Sequence, residues 1–222
     1  MIHDAELFTV GCDEAVVTFR TDEDATVVTV VGEHEVSTSG RLHAARVTGL
    51  EAATEYPLRV DGVDASELLP AVLTTLPRPS GRRVATFATV NDVHFGEFEC
   101  GKLGTPEELG PVFSTEPGDT PYYEVMNRGA IAEIAALDPD AVVVKGDLTN
   151  LGEEWEYELF CNAYTQLGAR MHHVRGNHDA MLSAKIAATG PFTVELDGIT
   201  LAVLDTVIPG HENGQVTPEQ FS

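Results

Sequence analysis

Three short clusters in this 222-residue chain combine carboxylate, imidazole and amide side chains: Asp92-Val93-His94, Gly146-Asp147 and Gly176-Asn177-His178-Asp179. A single residue between Asp92 and His94 lets both side chains reach the same ion. Carboxylate oxygen together with imidazole nitrogen suits divalent transition metals such as Mn, Fe or Zn better than Ca or Mg. Two such ions about 3.5–4 Å apart would clamp a phosphoryl group and ready a bound hydroxide for in-line attack. The plainer alternative for Gly176-Asn177-His178-Asp179 is a polar turn. Asn and Gly favour turns for local backbone reasons, and polar groups that lose water need partners whatever their role.

The segments that carry these clusters favour a shared site. "RVATFATV" reads as a short strand running into "NDVHFGE", and "AVVVKGD" as a strand that is apolar throughout, as one covered on both faces would be. A third strand around "RMHHV" ends at the GNHD cluster. "YYEVMNRGAIAEIAAL" has helical spacing and stops before Asp138-Pro139. "NLGEEWEYELFCNAYTQLG" reads as an amphipathic helix with Trp155, Leu159, Phe160 and Ala163 on its apolar side. Alternating strands and helices predict an α/β layer built from βαβ units. In open α/β sheets, ligands sit beyond the carboxyl ends of the strands. Three neighbouring ends would gather Asp92, His94, Asp147 and Asn177, and an Asp on the central strand could offer one oxygen to each of two ions. "FTVEL" and "TLAVLDT", with "DG" between the strands, predict an antiparallel pair.

The first 78 residues follow a different grammar. "ELFTV", "AVVTFRT", "ATVVTVV", "LHAARV", "YPLRV" and "PAVLTTL" are short Val- and Thr-rich segments set apart by turns such as "TDED". Regularly spaced short strands predict an all-β sandwich. "VTGLEAATEYPLRV" resembles the signature of fibronectin type III-like domains, which implies that Tyr56 is a corner tyrosine bonding back to nearby backbone. "LPRPSGRR" reads as a linker, giving domains at 1–78 and 79–222. His34 and His43 have no carboxylate or cysteine at useful spacing and are read as strand or surface residues. His172 and His173 lie inside a strand, where neighbours face opposite sides, and are read as structural. His211 is not counted as a ligand.

Composition narrows the partners. With 36 acidic against 13 basic residues the formal charge is −23, and no basic stripe exists to neutralise a nucleic-acid backbone or an anionic membrane. A small phosphate ester stays available if bound cations reverse the local field. Homo-oligomerisation stays open. Cys12, Cys100 and Cys161 are too widely spaced for a metal knuckle and are expected as reduced thiols. The N-terminus carries no basic region followed by a long apolar run, so a cytoplasmic location is the expectation.

Taken in order, DVH at 92–94, GDLTN at 146–150 and GNHD at 176–179 resemble the D-x-H, GD, GNH-D/E pattern of the calcineurin-like metallophosphoesterase superfamily. "GDLTNLGEEWEYELF" is similar to its class III cyclic-nucleotide and glycerophosphodiester phosphodiesterase branch. A β-sandwich ahead of the catalytic domain is similar to purple acid phosphatases, but Asn150 stands where their metal-binding tyrosine would be. The resemblance implies an N-terminal all-β sandwich followed by an α/β domain of αββα type, holding two divalent transition metals (Mn, Fe or Zn). It implies that Asp92 and His94 ligate the first ion, that Asp147 bridges, and that Asn177 ligates the second while approaching the phosphate. His178 would contact the phosphate or protonate the leaving alkoxide without ligating. Asp179 would orient His178, with a turn or helix cap as its structural alternative. Asn150 is expected to cap the following helix. The family pattern continues to a further His and a Gly-His-x-His pair, which do not occur before this sequence ends at "TPEQFS". The domain is therefore expected to be incomplete at its C-terminal side and this chain weakly active or inactive. The implied function is hydrolysis of a small phosphodiester. The alternatives are a phosphomonoesterase and a non-catalytic scaffold with a vestigial metal site.

Overall fold

The computed structural model describes residues 1–103, 110–182 and 185–221. The chain divides into two compact units, Met1–Arg82 and Arg83–Ser222, with the division inside the Pro- and Arg-rich stretch. Among the described residues, no helix is long and apolar enough to cross a membrane.

The first unit is a connected antiparallel sheet of β1 (Ile2–Val10), β2 (Glu14–Val31), β3 (His34–Thr48), β4 (Glu55–Val60) and β5 (Val72–Thr74). The two segments expected on either side of a "TDED" turn are one 18-residue strand, β2. The acidic stretch bulges instead of turning: pairing with β3 jumps from Arg20 opposite Leu42 to Ala25 opposite Gly40. Thr21 steadies the bulge by donating its hydroxyl to the Glu23 carbonyl at 2.8 Å. His43 is buried, stacked on Phe19 with ring centroids 4.4 Å apart, and bonded to Thr38. The Tyr56 hydroxyl accepts the Glu51 backbone N–H at 2.8 Å, a bond back to nearby backbone. Val17, Val31, Val47, Val60 and Leu73 form the centre of this unit's core.

In the second unit β6 (Phe87–Asn91) is followed by an antiparallel pair, β7 (Glu99–Leu103) and β8 (Gly110–Ser114), within the acidic, Gly- and Pro-rich stretch 97–120. The stretch 97–120 has the length and the Gly and Pro content of a lid or surface loop, and its residues 104–109 lie outside the described residues. Then come α1 (Tyr122–Leu137), β9 (Ala141–Lys145), α2 (Glu154–Tyr164), a 3-10 segment (Thr165–Arg170), β10 (Met171–Val174), β11 (Phe192–Leu196) and β12 (Ile199–Val203). β6, β9 and β10 form a parallel sheet with β9 in the middle. The pleat explains the unbroken apolar run of β9. Val142 and Val144 pack with Ile131 and Ile134 of α1 and with Phe160 and Tyr164 of α2. Val143 faces the other way, onto Val174 and Val203 of the antiparallel β11–β12 hairpin.

Helix α1 ends where Pro139 forbids continuation, with Asp138 in the left-handed region at φ 46°. In α2 the buried side is Glu156, Phe160 and Tyr164, spaced four apart, and not the side marked by Trp155 and Leu159. Trp155 is 43% exposed. The helix is turned because the Glu156 carboxylate accepts the Leu151 and Glu153 backbone N–H groups, at 2.9 and 3.1 Å, and is drawn inward. Apolar periodicity cannot register such a buried carboxylate. Asn127 of α1 is a second polar tie: its amide donates to the Val93 carbonyl at 2.9 Å and its oxygen accepts the Tyr164 hydroxyl at 2.8 Å.

The two β10 histidines face opposite sides, as alternation requires. His172 lies near Phe192, with centroids 6.0 Å apart. His173 packs against Phe160, and its Nε2 lies 2.9 Å from the Tyr157 hydroxyl. Burial holds the His173 pKa below its ordinary value, because desolvation disfavours the imidazolium. The unfolded ring therefore takes up its proton first as pH falls. Stability from His173 is complete above about pH 6.5 and is lost as pH drops toward the lowered folded value. Urea unfolding of the wild type between pH 8 and pH 5 should show this acid-side decline, and His173→Gln should flatten it.

Candidate metal centre

The loops that leave β6 and β9 stay paired beyond the strands. His94 N–H donates to the Asp147 carbonyl, Phe95 N–H to Leu148 and Asn150 N–H to Phe95, each at 3.0 Å. Along these loops Asp92, His94 and Asp147 adopt φ values of 55°, 43° and 47°. Only seven non-glycine residues among those described have positive φ, and three of them are candidate ligands. Asp and His tolerate this left-handed backbone better than most residues, and strain of this kind collects at functional sites. Gly176 of the third loop lies so close that a Cβ there would collide with the Asp147 carboxylate and amide.

The side chains of His94, Asp147 and His178 meet, each offering an atom within 4.8 Å of the others. His94 Nε2 is 3.8 Å from Asp147 Oδ2, and the two imidazoles meet edge to face at 4.6 Å. Asp147 Oδ1 accepts the His178 backbone N–H at 3.0 Å, which fixes the carboxylate in the gap between the loops. His178 Nδ1 is 2.6 Å from the Asn150 carbonyl. A carbonyl can only accept, so Nδ1 carries a proton and Nε2 is the ring's other site for proton exchange. Asp92 is exposed beside the Asn91 amide and stands outside this tight group. It borders, with Asp147 and Asn177, an open cleft of about 400 Å³ that Lys145 and Arg175 also line. The Arg175 guanidinium is tied to Asp205 at 2.7 Å. His211 is exposed and contributes no side chain to the group.

These donors fit a divalent transition metal. His94 turns Nε2 toward the Asp147 carboxylate at 3.8 Å, too long for a hydrogen bond and close enough for the nitrogen and the oxygen to share one ion. His94 and Asp147 would hold the ion, with Asp92 and Asn177 at the cleft edge beside them.

Asp179 departs from its expected place. It is fully buried, and its carboxylate accepts the backbone N–H groups of Leu148, Thr149 and Gly176 and the Thr149 hydroxyl, at 3.1, 2.8, 2.7 and 2.6 Å. Its oxygens are thus occupied in joining two loops, while the Asn150 carbonyl takes the role expected of Asp179 toward His178. Asn150 likewise does not cap α2; Glu153 occupies the N-cap position. A backbone carbonyl leaves no trace in residue type, so this contact was not readable from sequence. Glu97 was missed as well. Its carboxylate lies 4.0 Å from His94 Nδ1, and the only sequence signal is its position three residues later.

A parallel sheet whose strand ends bring His94, Asp147 and His178 together defines an α/β domain with a candidate metal site. Residues 85–211, over half of the chain, match the profile of the calcineurin-like phosphoesterase family, and the chain belongs to that family. It is similar to a cAMP/cGMP dual specificity phosphodiesterase of Mycobacterium tuberculosis, 36% identical over 99 residues covering 39% of this chain and 31% of the relative. A probable cyclic nucleotide phosphodiesterase of Rhodococcus erythropolis is 28% identical over 124 residues, covering 50% of this chain and 40% of the relative. The chain therefore spans well under half the length of these curated relatives. Among solved structures, a purple acid phosphatase from yellow lupin seeds aligns at 15% identity and TM-score 0.28, covering 89% of this chain and 38% of that one. A structure of PhoD aligns at 14% identity and TM-score 0.29, covering 79% and 38%.

Asp179→Ala would strand three backbone N–H groups and a hydroxyl. It should cost about 3 kcal/mol or more, since bonds to a charged acceptor contribute about 1.5–3 kcal/mol each. Asp147→Asn should cost much less. Urea unfolding of both variants without metal checks the contrast; equal losses would assign Asp179 no special structural role.

Proposed function

We propose that this chain carries the metal-binding portion of a phosphoesterase that hydrolyses a small phosphodiester of the cyclic-nucleotide or glycerophosphodiester type. The observation behind this reading is the meeting of His94, Asp147 and His178 at the carboxyl ends of parallel strands, within the family-matched segment. The printed activities of the two curated relatives point the same way. Asp92, His94, Asp147 and Asn177 are the proposed metal ligands, with Asp147 the bridge between two divalent ions, Mn, Fe or Zn. When bound, such ions supply Lewis acidity toward the phosphoryl oxygens and lower the pKa of water.

The chain's own residues do the rest. Asn177 and His178 bind the phosphate at the cleft edge. The Asn150 carbonyl holds His178 Nδ1–H, which leaves Nε2 to the substrate side. In its cationic form His178 donates from Nε2 to the leaving alkoxide. Asp179 acts one step removed, by fixing the loop on which Asn177 and His178 stand. Lys145 and Arg175 line the same cleft as the carboxylates of Asp92, Asp147 and Glu212, and Arg175 is paired with Asp205, so bound cations would supply the positive field that a phosphate needs. On the same grounds the first unit would be a fibronectin type III-like sandwich, and the β11–β12 hairpin part of the second sheet of an αββα domain.

The test is turnover of bis-p-nitrophenyl phosphate and of 3′,5′-cyclic AMP with added Mn²⁺, against p-nitrophenyl phosphate as the monoester. The wild-type chain should turn over the diesters slowly and in preference to the monoester. Asp147→Asn and His178→Ala should each lower the rate about 100-fold or more, within the range for loss of a metal ligand or a general acid. Monoester preference would move the assignment to a phosphomonoesterase. Turnover untouched by Asp147→Asn would remove the catalytic reading and leave the scaffold.

A further inference from the structure

The geometry points to Glu97 as the residue that positions His94 for metal binding, with Tyr122 fixing Glu97 in turn. This rests on the metal-centre reading above. His94 and Glu97 are largely shielded, with side chains 17% and 15% exposed. The one buried nitrogen of His94 without a hydrogen bond, Nδ1, faces the Glu97 carboxylate at 4.0 Å. At 4.0 Å the pair is longer than a hydrogen bond, so the proposed contact forms when the ring moves toward Glu97 on holding an ion. The other nitrogen, Nε2, faces Asp147. An imidazole that gives one nitrogen to an ion normally donates the other N–H to a carboxylate or carbonyl, which sets its tautomer and raises its basicity.

Glu97 is built into this position rather than drifting past it. Its backbone N–H donates to the His94 carbonyl at 3.1 Å, so the chain turns back on itself directly after the ligand. The turn depends on Gly96 at φ +92°, where a Cβ would stand 2.5 Å from Glu156 Oε1. The buried carboxylate of α2 therefore lies close behind the turn, in space that only a glycine leaves free. From α1, the Tyr122 hydroxyl donates to Glu97 Oε2 at 2.5 Å, leaving Oε1 on the His94 side. Three elements thus hold one carboxylate against one ring.

The test titrates the full chain with Mn²⁺ alone and follows free Mn²⁺ by electron paramagnetic resonance, so no activity is needed. Glu97→Ala should weaken binding about 10–100-fold, the usual effect of removing such a partner. Glu97→Gln should stay within a few-fold of wild type, because its amide oxygen still accepts the Nδ1–H and its amide N–H can donate to Tyr122. His94→Ala marks complete loss of the ligand. Wild-type affinity in Glu97→Ala, or equal weakening in Glu97→Ala and Glu97→Gln, overturns the positioning role while leaving the metal centre intact. No Mn²⁺ binding by the wild type overturns the metal centre itself, and this role with it.

Discussion

The second unit depends on one buried carboxylate. Asp179 takes four donors, three from Leu148 and Thr149 in the loop after β9 and one from Gly176 just beyond β10. A charged group without solvent is costly unless its oxygens are filled, and here they are filled by groups that would otherwise be stranded themselves. The bonds leave little freedom between the two loops. Asp147 and His178 then meet because their backbones have nowhere else to go, and the Asp147 carboxylate reinforces the junction by accepting the His178 N–H. The site's geometry is thus set by backbone donors and an acid that never faces the cleft.

The same device recurs in the layer behind. Glu156 holds the start of α2 to the loop before it, and Asn127 joins α1 to the Val93 carbonyl and to Tyr164. Apolar packing of Val142, Val144, Ile131 and Phe160 supplies the bulk of the core, but it is non-directional. Directional buried polar bonds select one registration of helices over strand ends.

Much of this unit was legible because its signals are local. The run AVVVK announces a strand covered on both faces, Pro139 announces the end of α1, and the DG dipeptide announces the last hairpin. The three clusters were legible as a site because each follows such a strand. What escaped reading has a shared cause. The inward turn of α2 depends on a carboxylate that finds its donors in the preceding loop, which an apolar pattern scores as a surface residue. The exchange of Asp179 for the Asn150 carbonyl as the partner of His178 depends on backbone atoms, which every residue carries alike. In the first unit, "TDED" has the composition of a turn, yet long-range pairing with β3 continues on either side and converts it to a bulge.

The left-handed backbone at Asp92, His94 and Asp147 also bears on how this site can change. A metal site is usually pictured as open to any ligand exchange that keeps charge and reach. Here each exchange must first satisfy the main chain. Asn, Asp, His and Gly enter such positions readily, whereas Glu or Cys pays about 1–2 kcal/mol before any bond to an ion is counted. The backbone thereby acts as a filter on evolutionary drift. On backbone grounds it admits Asp-to-Asn and His-to-Asn replacements, whatever they cost at the ion, and resists the thiolate replacements that would present a different donor.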